Sequence, residues 1–188
     1  LKSQQGNDGF APFFERNVRQ AIAEGVEPFA YCFAYPLPHL DPKKQAELFV
    51  KTTKTLEGRP LFIDAEWPEQ AQWKRWGCTA MQIATWFAVH CDEVERLSGV
   101  TPVIYTYPYW WASVSGGDVS WASRYPLWMA DYPGKGWPTE TDKPKIPYPW
   151  TDWLFWQFDG NGGLKLPNGI DCDFCVFNGD ENALRALA

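Results

Sequence analysis

The sequence predicts an α/β fold, a partial (β/α) barrel with helices mainly on its first half. Three observations predict it. Up to about residue 107, short apolar runs alternate with helical patterns, which suits parallel strands joined by right-handed crossovers. Beyond that point strand-like runs follow one another through loops, without clear helices between them. The 188 residues fall short of the about 250 typical of a complete eightfold barrel. An open doubly wound sheet is the alternative, but there is no Gly-rich phosphate loop to support it.

Each element has a local reason. Residues 13–23 read as a helix, with apolar positions at Phe14, Val18, Ala21 and Ile22 and a stop at Gly25. Residues 29–35 read as a strand ended by Pro36-Leu37-Pro38. Asp41 and Pro42 form an N-cap and first-turn proline for a second helix running toward Gly58. A strand follows at 61–66, ended by Trp67-Pro68. A long helix covers about 79–97 and closes at Gly99. Residues 102–107, 126–132, 153–158 and 170–177 read as strands, and 181–188 as a short terminal helix. One domain over 1–188 is expected, with no repeat or low-complexity linker.

Composition narrows the function. Seventeen basic against 23 acidic residues give a formal charge of −6, which argues against nonspecific nucleic-acid binding through phosphate neutralisation. No apolar run approaches the roughly 20 residues that span a bilayer, so no membrane insertion is expected. Leu1-Lys2-Ser3-Gln4-Gln5 lacks the apolar stretch of a secretory signal, and no initiator Met precedes it, so the chain reads as a fragment or a processed form. The 12 Trp and 8 Tyr offer flat apolar faces with polar edges, suited to sugar clefts and equally to large cores. Cys32, Cys78, Cys91, Cys172 and Cys175 are odd in number, leaving at least one free thiol within the chain. Cys172 and Cys175 have CxxC spacing without a second pair, and His39 and His90 stand alone; no metal and no cofactor are expected.

The chemistry concentrates in Leu61-Phe62-Ile63-Asp64-Ala65-Glu66. Strand side chains alternate, so Leu61, Ile63 and Ala65 face helices while Phe62, Asp64 and Glu66 face the barrel interior. Two residues of strand rise is about 6.6 Å, which crowds two carboxyls into one space and raises at least one pKa. A glycosidase needs that: one carboxyl protonated as general acid, another ionised. Salt bridging at a strand end is the plainer explanation. A second acidic strand, with Asp171, Asp173, Cys175 and Phe177 on one face and few basic residues nearby in sequence, favours the chemical one.

Asp64-Ala65-Glu66 resembles the DxE motif of the glycoside hydrolase family 25 lysozymes, the Chalaropsis-type muramidases. The resemblance continues in order along most of the chain. Lys2-Ser3-Gln4-Gln5-Gly6 is similar to a KATEG-like strand end, Phe29–Phe33 to GAYHF with Cys32 where His is usual, and Ile104-Tyr105-Thr106 to IYT. Leu127–Tyr132 is similar to LWxAxY, Trp156-Gln157-Phe158 to WQY, and Asp173–Gly179 to DxNxFxG. The resemblance implies hydrolysis of the β-1,4 bond between N-acetylmuramic acid and N-acetylglucosamine in peptidoglycan. Glu66 matches the general acid, and Asp64 and Asp173 the supporting carboxylates. It also implies that the family's first strand, which carries a further Asp, is missing here, and that Gln5 replaces a usual Glu.

Tyr31, Tyr105, Trp67 and Gln157 are candidate substrate contacts, with Asp131 a weaker one at a strand end. The expected partner is the peptidoglycan glycan strand. The protein is expected to be a monomer, secreted or acting at the bacterial cell wall, from a phage or a bacterium. A non-catalytic glycan-binding or assembly-associated member of the same fold, and a hydrolase of another polysaccharide such as chitin, stay open as alternatives.

Overall fold

The computed structural model describes residues 1–6, 9–134, 136–160, 165, 167–169 and 171–187. Its centre is a sheet of eight strands. In chain order these are β1 (Lys2–Gln5), β2 (Gly9–Phe10), β3 (Ala30–Phe33), β4 (Leu61–Asp64), β5 (Val103–Thr106), β6 (Leu127–Ala130), β7 (Phe155–Asp159) and β8 (Phe174–Phe177). Spatially the order is β2-β1-β3-β4-β5-β6-β7-β8. The six strands from β1 through β7, omitting β2, run parallel, while β2 and β8 are antiparallel to their neighbours.

The sheet curls without closing, as the partial barrel anticipates. Its edges are β2 and β8. Two strands separate β4 from β7, yet the rings of Phe62 and Phe155 meet with centroids 5.8 Å apart. Phe62 also touches Phe29 and Trp128, so the bottom of the concave face is an aromatic floor.

Register assigns the two faces. Cys32, Ile63, Ile104 and Leu127 form one row across neighbouring strands, all buried beneath helices. Phe33, Asp64, Tyr105, Trp128 and Phe155 form the next row, on the concave side. Cys32 therefore points away from the carboxyls. Its Sγ lies 3.6 Å from His90 Nε2, and His90 Nδ1 donates to the Pro42 carbonyl oxygen at 2.9 Å. Burial pushes the His90 pKa down to about 4, so the ring is neutral and its Nε2 accepts a hydrogen bond from the thiol.

The helices are α1 (Phe14–Ala23), α2 (Pro42–Thr52), α3 (Gln70–Arg75), α4 (Ala80–Ser98), α5 (Pro108–Val114) and α6 (Glu181–Arg185). Asp41 caps α2 by accepting from Lys43 N at 2.8 Å. Thr79 caps α4 in a reciprocal box with Gln82, and Gly99 ends it at φ +71°. Helices α2 and α4 pack together over the outer sheet face, where Phe49, Phe87, Cys91 and Val94 join the core. Among the described residues no helix is long and apolar enough to cross a membrane.

Differences from the sequence reading are local. Every expected strand is present but shorter, and the 170–177 run is regular only from Phe174; Ile170 and Ala188 lie outside the described residues. Helices α3 and α5 and the short β2 were not expected. At six and seven residues the two helices are too short to show an amphipathic period, and tertiary packing stabilises them.

Candidate active site

The parallel strands end together, and the cavity opens at that end. Strand β3 contributes Tyr31, β4 Asp64 and, two residues on, Glu66. Strands β5, β6 and β7 add Tyr105, Trp128 and Gln157. Strand β8 runs the other way, so its N-terminal approach, carrying Asp173 and then Cys175, arrives at the C-terminal ends of the others. The resulting cavity holds about 320 Å³.

The Asp64–Glu66 segment is held firmly. Ala65 N donates to the Tyr105 carbonyl at 2.8 Å, and the Thr106 hydroxyl to the Ala65 carbonyl at 2.7 Å. Beyond Glu66, Trp110 of α5 donates to the Pro68 carbonyl at 2.9 Å. These bonds fix the backbone that carries both carboxyls before any ligand arrives.

Electrostatics separates the acids. Asp64 is 7% exposed, and its Oδ1 has no hydrogen-bond partner among the described residues. Burial over the aromatic floor, then repulsion from Glu66, push its pKa up to about 8, against a smaller opposing pull from Lys2. Glu66 is less buried; burial and then Glu69 raise its pKa, and Lys2 again opposes. Asp173 is raised by burial and then by Asp159, while a hydrogen bond from Gln157 lowers it. Gln157 is 5% exposed, and its buried Oε1 has no hydrogen-bond partner among the described residues. Near neutral pH the Asp64–Glu66 pair therefore retains a proton beside a more accessible carboxyl, which is the requirement for acid-assisted cleavage of an acetal.

The structure gathers Asp64, Glu66, Asp173, Tyr31, Tyr105 and Gln157 around one space. It does not bring Trp67 or Asp131 into that lining. The Asp131 carboxylate accepts from Lys145 N at 2.9 Å, and its carbonyl accepts from Trp156 Nε1 at 2.7 Å. Trp67 turns outward against Tyr35 and Trp76. Asp171, the alternative to Asp173, is exposed and pairs with Lys165 at 3.1 Å. Sequence reasoning passed over Trp128, and it set Cys175 on the Asp173 face without counting it among the site residues. Strand alternation could have found Trp128 too, since it follows the helix-facing Leu127.

A family model described as glycosyl hydrolases family 25 matches residues 1–165. The chain belongs to this family. A curated relative, the N,O-diacetylmuramidase of Chalaropsis sp, is 31% identical over 156 residues, covering 75% of this chain and 72% of the relative. The solved muramidase of Acremonium alcalophilum is 26% identical with a TM-score of 0.77, over 99% of this chain and 84% of that one. The bacterial lysozyme of Streptomyces coelicolor has the same fold at 24% identity and a TM-score of 0.78. This family 25 protein is thus a glycoside hydrolase of the lysozyme type, with a muramidase-type glycan as substrate. The family match ends before Asp173, but the structural likeness extends across that strand.

Proposed function

We propose that the enzyme hydrolyses the β-1,4 bond between N-acetylmuramic acid and N-acetylglucosamine in bacterial peptidoglycan, with Glu66 as general acid. The observation that carries this reading is the meeting of Asp64, Glu66 and Asp173, from β4 and from the approach to β8, on one sugar-sized cavity. Glu66, the more accessible of the Asp64–Glu66 pair, protonates the departing glycosidic oxygen. The one proton that the Asp64–Glu66 pair holds leaves through Glu66, so Asp64 is ionised as the bond breaks, and Asp64 and Asp173 stabilise the positive charge that develops at the anomeric carbon. Gln157 orients Asp173 through the hydrogen bond it gives that carboxylate. Tyr31 and Tyr105 form walls of the cavity.

Residues 1–188 act in this reading as one catalytic unit and as a monomer, because every group invoked comes from a single chain. The site of action is the bacterial cell wall, reached by secretion or through a phage. The test is digestion of purified peptidoglycan beside chitin oligomers, with new reducing ends quantified and identified by mass. Muramic acid at the new ends is expected; no release, or release from chitin alone, overturns the proposal.

A further inference from the structure

An aromatic run leads outward from Glu66, beyond the cavity. Strands β3 and β4 pair Phe33 with Asp64, so Tyr35 and Glu66 stand level just past the strand ends. The Tyr35 ring lies against Trp67 at 4.5 Å between centroids, and Trp67 against Trp76 at 5.6 Å, the planes tilted by 39° and 56°. Trp76, which ends α3, is 48% exposed. Anchoring of α3 does not account for it, because Trp73 on the same helix is already buried at 3%.

The position of Tyr35 is set with care. Its hydroxyl accepts from the Gln5 amide, whose Oε1 takes a hydrogen bond from Lys2 at 3.1 Å. Gly6, at φ +63°, leaves room for the ring; a Cβ there would come within 2.8 Å of Tyr35 Cδ2. Single exposed apolar side chains are ordinary on a protein surface, but three rings in contact, starting from the residue next to Glu66 and from the one level with it, are not scattered.

We propose that Tyr35, Trp67 and Trp76 form an outlying sugar subsite, in which a pyranose ring of the same glycan strand stacks its C–H face on the indoles. This rests on the glycan-cleaving reading above and adds where the strand runs on leaving the bond at Glu66. The flat rings supply apolar area, and the indole N–H edges serve hydroxyls and amides. The subsite holds substrate without touching the reacting atoms, so its effect appears in KM for long glycans.

The experiment compares the protein with its Trp76→Ala and Trp76→Phe variants on glycan oligomers of increasing length and on polymeric peptidoglycan. Trp76→Ala is expected to raise KM on the polymer about three- to tenfold with kcat retained, a penalty that shrinks as the oligomer shortens and that Phe largely restores. A penalty independent of length, a matching fall in kcat, or no change in KM overturns the subsite while leaving cleavage by the parent protein intact. If the parent protein cleaves nothing, the catalytic reading fails separately. Sedimentation with purified glycan strands then decides the subsite: weaker retention of Trp76→Ala supports it, and equal retention overturns it.

Discussion

The indole of Trp110 donates to the carbonyl oxygen of Pro68 at 2.9 Å, joining a buried residue of α5 to the chain two residues after Glu66. Pro68 is itself buried, so that carbonyl has no access to water in exchange. Core packing and catalytic geometry thus share one hydrogen bond.

Trp110→Phe keeps much of the ring volume and removes the donor. Leaving the Pro68 carbonyl unpaired is expected to cost about 1–3 kcal/mol of stability. The same change loosens the support behind Glu66, so kcat falls along with the melting temperature. Denaturant titration beside steady-state kinetics checks both. Stability lost with kcat unaltered would detach α5 from the site.

Glu66→Gln removes the transferable proton while keeping the side chain's shape. Glycan cleavage is expected to drop by at least about 10²-fold, the usual share of general acid catalysis. The fold is expected to be unaffected, because Glu66 has no salt bridge among the described residues. Reducing-end release and thermal unfolding of the variant are the measurements. Near-parental cleavage removes Glu66 from the role.

Asp64 makes stability depend on pH in a definite direction. Its folded pKa of about 8 lies above the unfolded carboxyl value, so between the two the native state holds a proton that the unfolded chain has released. Stability contributed by this group is complete below the unfolded pKa and is lost as pH rises through the folded one. Asp64→Asn carries no such dependence. Its stability relative to the parent should therefore rise from pH 4 to pH 8, by on the order of a few kcal/mol in denaturant titrations. A constant difference across that window contradicts the buried, protonated Asp64.

Gln157→Leu takes away the hydrogen bond that holds the Asp173 pKa down. Asp173 then ionises only at higher pH, and the acidic limb of the kcat/KM profile should shift upward. A limb that stays in place, or moves to lower pH, means that Asp173 does not govern it.

Much of this was legible in the residues because strands announce their own faces. Ile63 and Asp64 are neighbours in the chain with opposite surroundings, and the two-residue alternation alone separates them. Asp41, Thr79 and Gly99 mark helix ends through local hydrogen bonding and backbone freedom, so their positions could be read without a fold. Helix α5 could not: Pro108-Tyr109-Trp110-Trp111 is too short and too uniformly aromatic to reveal which side is buried. Trp67 shows a different limit. Its place beside Glu66 in sequence suggested contact with the same ligand space, but the turn at Pro68 carries its ring outward to Tyr35 and Trp76.

Sequence by itself specified that Asp64 and Glu66 share a strand face, that six or more strands alternate with helices early and not late, and that Asp173 lies on an acidic strand. Tertiary structure decided that these groups meet. The antiparallel course of β8 brings Asp173, rather than Asp171, to the cavity formed by the ends of the parallel strands. Asp131, also at a strand end, is taken up by the loop bearing Lys145 instead. The reason is physical: side-chain alternation is a property of a single strand, whereas strand order, direction and curl arise from hydrogen bonds and packing between segments far apart in the chain.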